Sequence, residues 1–157
     1  MTIRLLHILF LFLFFIPSNN APAQIRRVER SNIVKVDFLS AVAFRRFGIA
    51  YERVITSNFS GQLGFQVTAD GYTVSPEFRY YMLRQIAPEG FFVSPFGRII
   101  GSNAGGGLGY GFGGLVGYQV LITSRISADA FIGPAYKYLA KESDWELWAG
   151  ITIGFAF

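Results

Sequence analysis

From Leu108 to the carboxyl-terminal Phe157 the chain alternates large apolar residues with small or polar ones, and no apolar run after Asn32 reaches 18 residues. Such a pattern excludes membrane-spanning helices downstream of the amino end and makes the strand the building unit. Trp145, Leu147, Ala149, Ile151, Ile153, Phe155 and Phe157 share one parity, and Asp144, Glu146, Trp148, Gly150, Thr152, Gly154 and Ala156 share the other. The split recurs in Ile126, Ala128, Ala130, Ile132, Pro134, Tyr136 and Tyr138 against Ser127, Asp129, Phe131, Gly133, Ala135 and Lys137. It recurs again in Leu108, Tyr110, Phe112, Val116, Tyr118 and Val120 against Gly109, Gly111, Gly113, Leu115, Gly117 and Gln119. Each strand therefore has a greasy face and a small or charged face.

Asp70-Gly71 is the strongest hairpin signal in the chain, and a turn centred on it predicts Val67 opposite Val74, Phe65 opposite Pro76 and Leu63 opposite Phe78. About eight strands are predicted, near 33–42, 46–55, 61–69, 72–83, 91–100, 108–122, 125–139 and 144–157. The fifth is the least regular, because Phe92 and Phe96 fall on the parity otherwise assigned to the interior. Short connections carry turn residues such as Ser57-Asn58, Pro88-Glu89-Gly90, Thr123-Ser124 and Lys141-Glu142-Ser143.

Eight antiparallel strands with short loops predict a closed up-and-down β-barrel, which leaves no sheet edge free. A soluble barrel would turn the greasy parity inward, whereas a transmembrane barrel turns it toward lipid. The composition favours lipid: 52% of residues are hydrophobic, 17% aromatic and only 15% charged. Gly109, Gly111, Gly113, Gly117, Gly133, Gly150 and Gly154 share the polar parity, where small side chains suit a narrow eight-stranded lumen. Tyr72, Tyr110 and Trp145 are expected at the outer interface, with Tyr80, Tyr118 and Phe155 at the inner one. Eight residues separate Tyr72 from Tyr80 and Tyr110 from Tyr118, roughly 20 Å of height for a tilted strand, close to the apolar band of about 25 Å in such barrels.

At the amino end, Arg4 precedes the apolar run Leu5 to Ile16, then Pro17, a polar stretch and Ala21-Pro22-Ala23. This reads as a secretory signal peptide over residues 1–23, too short for a spanning helix, with cleavage before Gln24. Residues 24–32 are then a short periplasmic segment and 33–157 the outer-membrane barrel. Phe155 and Phe157 at the very end look like a carboxyl-terminal signal for barrel assembly machinery, although Thr152 stands where such signals usually carry Gly.

Residues 33–157 also resemble a family. Lys35-x-Asp37, Phe47-Gly48-Ile49-Ala50-Tyr51-Glu52, Ser75-Pro76-Glu77-Phe78-Arg79-Tyr80-Tyr81 and the Gly109-Tyr110-Gly111 run look like the small uncharacterised outer-membrane β-barrel proteins of Bacteroidota-type bacteria. The resemblance implies an eight-stranded barrel in the outer membrane of a diderm bacterium after Sec-type export. The family has no established activity to carry over.

Little points to catalysis. The chain has no Cys, and its single His, His7, lies in the predicted signal peptide, so a His-centred lipid-acting site cannot be built after cleavage. Gly109-x-Gly111-x-x-Gly114 matches a dinucleotide fingerprint only formally, because strand alternation runs straight through it. No cofactor or metal is expected, and the scattered charge, net +4, argues against nucleic acid. The interior parity carries the most informative set: Lys35, Arg79, Arg98 and Lys137 against Asp37, Glu52, Glu77, Asp129 and Glu146. These charges suit either an ion-selective pore or a mutually satisfied network that plugs the lumen. The plug is preferred because unpaired charges in so narrow a space are costly.

The expected function is structural or envelope-associated, with outer-membrane lipids as partners. Arg45, Arg46 and Lys141 are candidates for lipopolysaccharide phosphates, with plain solvation the competing reading. The alternatives are a narrow ion or solute channel, a lipid-acting outer-membrane enzyme, and a soluble periplasmic ligand-binding barrel.

Overall fold

A computed structural model describes residues 31–82, 87–103, 107–140 and 142–157. The predicted signal peptide, its cleavage site before Gln24 and Lys141 lie outside the described residues. Strand follows strand in chain order: β1 (Asn32–Asp37), a short helix α1 (Phe38–Phe44), β2 (Phe47–Val54), β3 (Phe59–Thr68), β4 (Gly71–Tyr81), β5 (Gly90–Ser102), β6 (Leu108–Leu121), β7 (Ile126–Leu139) and β8 (Glu142–Ala156). Each pairs antiparallel with its neighbours, and β1 closes on β8 through Val34↔Phe155 and Val36↔Ile153. The result is an eight-stranded up-and-down barrel. Both ends of the sheet meet at one rim, where the Phe157 N–H donates to the Asn32 carbonyl at 2.9 Å.

The greasy parity faces outward on every strand. Val34, Ile49, Leu63, Phe78, Ile99, Phe112, Ile132 and Ile153, one from each strand in turn, are all exposed. The opposite parity turns inward and is buried away from the rims, including Phe92 and Phe96, so the irregular fifth strand keeps the common alternation with large rings inside. No helix among the described residues is long and apolar enough to cross a membrane.

Two expectations need correction. The first strand stops at Asp37 instead of running to residue 42, because the Asp37 carboxylate accepts the Ser40 N–H at 2.9 Å and caps α1. The helix ends at Arg45, whose φ of 53° turns the chain back toward β2. The second correction is the β3–β4 register. Val67 pairs with Tyr72, Phe65 with Val74, Leu63 with Pro76 and Phe59 with Tyr80, two residues away from the pairing predicted around Asp70-Gly71. Gly71 lies outside the turn and serves two seams: it pairs with Thr68 of β3 and with Ser102 of β5, where a Cβ would fall 1.9 Å from the Gly101 carbonyl oxygen. A shift of two conserves parity, so both faces survive the change.

Candidate functional site

Alternation places one side chain in two inside the barrel, and antiparallel register then decides which inward groups meet. Glu52 of β2, Arg79 and Tyr81 of β4, Gln119 of β6, Asp129 of β7 and Lys35 of β1 converge near the rim that holds the chain ends. Lys35 Nζ lies 2.7 Å from Glu52 Oε2, donates to Gln119 Oε1 at 2.9 Å and pairs with Asp129. Arg79 Nε donates to Glu77 Oε1 at 2.6 Å, while its Nη1 reaches Gln119 Oε1 at 2.9 Å and Asp129 Oδ2 at 3.0 Å. The Tyr81 hydroxyl donates to Glu52 Oε1 at 2.7 Å, and the Ser60 hydroxyl donates to the same oxygen. Gln62 Nε2 ties the free side of Glu77 at 3.0 Å. Lys35, Glu52 and Arg79 are fully buried, so every one of these ions depends on protein partners in place of water.

Above this polar cluster stand the rings. Phe92, Phe96 and Phe131 face Gly117, Gly113 and Gly150 directly across the seams. A Cβ on those glycines would fall 2.4 Å, 2.6 Å and 2.4 Å from the respective ring Cζ atoms, so each ring occupies the space its partner vacates. Trp148 closes the layer edge-on, 4.6 Å from Phe96 and 6.1 Å from Phe131 between centroids. The Arg79 guanidinium lies 4.3 Å from the Phe92 centroid, joining the rings to the ions beneath.

A second ionic group lies on the far side. Arg98 Nη1 donates to Glu146 Oε1 at 2.7 Å, and Lys137 Nζ reaches Glu146 Oε2 at 3.3 Å. Arg98 also packs 4.8 Å from the Trp148 ring, and exposure rises through Glu146 to the half-exposed Lys137. Eight of the nine predicted lumen charges thus fall into two groups, five around Arg79 and three around Glu146. Asp37 stands apart as the cap of α1. Ser60, Gln62 and Gln119 were not among the predicted site residues, although all three share the interior parity. Their role depends on cross-barrel register, which alternation alone does not reveal.

Outside, the predicted interfacial aromatics sit in two belts. Tyr110 packs 5.3 Å from Tyr138, and Trp145 packs 5.4 Å from Tyr136, toward the rim with α1. Tyr80 packs 4.9 Å from Phe59 and Tyr118 packs 4.7 Å from Phe91 toward the other. Tyr72 belongs with the first belt, 6.4 Å from Phe65. Phe155 and Phe157 point outward beside the β1–β8 closure. The Gly109 to Gly114 run is continuous strand within β6. Among the described residues no group of three or more His, Cys, Asp or Glu is placed to hold a metal ion.

No family model and no curated protein matches this chain. Among solved structures, the crystal structure of the N-terminal β-barrel domain of Pseudomonas aeruginosa OprF is similar, with a TM-score of 0.51 and 17% identity. The match covers 82% of this chain and 98% of that one. At that identity the likeness is one of fold.

Proposed function

We propose that this protein is an integral outer-membrane barrel whose lumen is closed by its own side chains and whose role is structural or envelope-associated. The observation that carries this reading is the facing: apolar side chains stand outward on all eight strands, while the buried ions and rings share the interior. A soluble barrel with that exterior would expose an apolar surface far larger than monomeric proteins tolerate. Lipid is the solvent that such a surface fits, and the two aromatic belts fall where its interfaces would lie.

Closure of the lumen rests on packing. Eight strands leave an interior just wide enough for side chains, and here Arg79, Tyr81, Phe92, Phe96, Phe131 and Trp148 lie across it. The reading includes no catalytic step; residues 24–157 contain neither His nor Cys, so a His-centred nucleophile cannot be built there. Kinship with small outer-membrane barrels of Bacteroidota-type bacteria, export through a signal peptide, insertion by barrel assembly machinery and contact with lipopolysaccharide belong to the same proposal. Sucrose-gradient separation of inner and outer membranes from an expressing diderm bacterium tests it. Recovery in the outer-membrane fraction, resistant to urea extraction, is the expected result. Recovery in the soluble periplasm without detergent would overturn it.

A further inference from the structure

In the β4–β5 seam the hydrogen-bonded pairs fall on even residues of β4, as the Met82 N–H to Phe91 carbonyl bond at 2.8 Å fixes. Two of those pairs contain proline: Pro76 stands opposite Gly97, and Pro95 stands opposite Phe78. Proline has no N–H, so the carbonyls of Gly97 and Phe78 both lose their ladder donor, on one seam and two residues apart. The regular pairing lapses around them, with Glu77↔Phe96 the one contact kept between Val74↔Ile99 and Tyr80↔Val93. In hydrocarbon no water replaces a lost donor.

The outer wall is hollow at the same place. A shallow, open dent of about 520 Å³ lies over the seam, lined by Tyr51, Leu63, Phe78, Pro76, Pro95 and Gly97. Gly97 differs from the lumen glycines. A Cβ there would meet nothing closer than 3.9 Å, and its φ is ordinary, so neither packing nor backbone geometry demands glycine. The chain leaves open a space that the barrel itself does not need.

We propose that this dent binds one lipid acyl chain carrying a hydroxyl partway along its length, the hydroxyl donating to the Gly97 or Phe78 carbonyl. The proposal rests on the membrane reading above. Pro76 lies four residues from Tyr72 of the belt, roughly 10 Å deeper for a tilted strand, so the donor belongs on a chain and not on a headgroup.

The test uses the full protein, after export, in phosphatidylcholine nanodiscs doped equally with 12-hydroxystearic or stearic acid, with retained fatty acid counted by native mass spectrometry. The unmodified protein is expected to prefer the hydroxylated acid by about tenfold, the worth of one hydrogen bond in an apolar setting. Replacing both prolines (Pro76→Val with Pro95→Val) restores the ladder donors and should abolish that preference while chain binding persists. Gly97→Leu fills the dent and should remove binding of both acids. Equal retention of the two acids by the unmodified protein, a preference unchanged by the double proline replacement, or a dimer seated on this face overturns the proposal. Flotation of the same protein with liposomes separates the two readings: failure to float overturns the membrane reading, and floating without the preference overturns this one alone.

Discussion

The Phe92 ring lies over Gly117, directly opposite it across the β5–β6 seam, with its Cζ 2.4 Å from where a Cβ would stand. Phe96 over Gly113 and Phe131 over Gly150 repeat the arrangement, so ring and glycine act as one unit. Gly113, Gly117 and Gly150 are thus the sockets for the rings, while Gly111 and Gly154 leave room for the long side chains of Arg98 and Lys35.

Gly117→Ala should therefore destabilise by about 1–3 kcal/mol, since neither the Phe92 ring nor the Ala130 carbonyl oxygen, 2.7 Å away, has room to move. Gly114→Ala, three residues earlier, meets nothing within 4 Å and should be neutral or stabilise by up to about 1 kcal/mol. Urea unfolding in lipid vesicles measures both. Equal effects would contradict the socket account.

Facing yields a second prediction. Val116→Arg and Ile132→Arg, outward and paired with each other across the β6–β7 seam, should each cost about 2–4 kcal/mol in a bilayer. Thr152→Ser, inward and buried, should stay within about 0.5 kcal/mol. The same vesicle assay reads all three, and harmless arginines would invert the facing.

Lys35 holds Glu52 and Asp129 together, and among the described residues no other cation forms an ion pair with Glu52. Lys35→Met should cost about 3–5 kcal/mol by leaving the buried Glu52 carboxylate uncompensated, while Asp129 keeps Arg79. Glu77→Ala should fall toward the lower end of that range, because Arg79 keeps Asp129 and Gln119 through Nη1. A smaller loss for Lys35→Met than for Glu77→Ala would mean that the network is centred elsewhere.

Much of this was legible in the sequence because a barrel strand writes its facing into every second residue. Phe131 and Trp148 could be placed inside, and Ile132 and Leu147 outside, from parity alone. What parity does not carry is any shift by an even number of residues: the β3–β4 register moves by two because Gly71 is drawn into the seam with Gly101 and Ser102, a neighbour remote in sequence. Asp37 has interior parity yet caps α1, since a carboxylate on the last residue of a strand can serve the backbone N–H groups that follow it instead. Pro76 and Pro95 read as ordinary members of the greasy face. Their effect appears only once register sets them on the same seam.

The central claim is a membrane barrel with a closed lumen, and single-channel recording on the purified protein in a planar lipid bilayer tests it most directly. Insertion, verified by protease protection in the same lipid, with no stable conductance for the unmodified protein or for Glu77→Ala, is the predicted result. Reproducible discrete conductance in the unmodified protein would contradict the closed lumen and establish a narrow channel in its place.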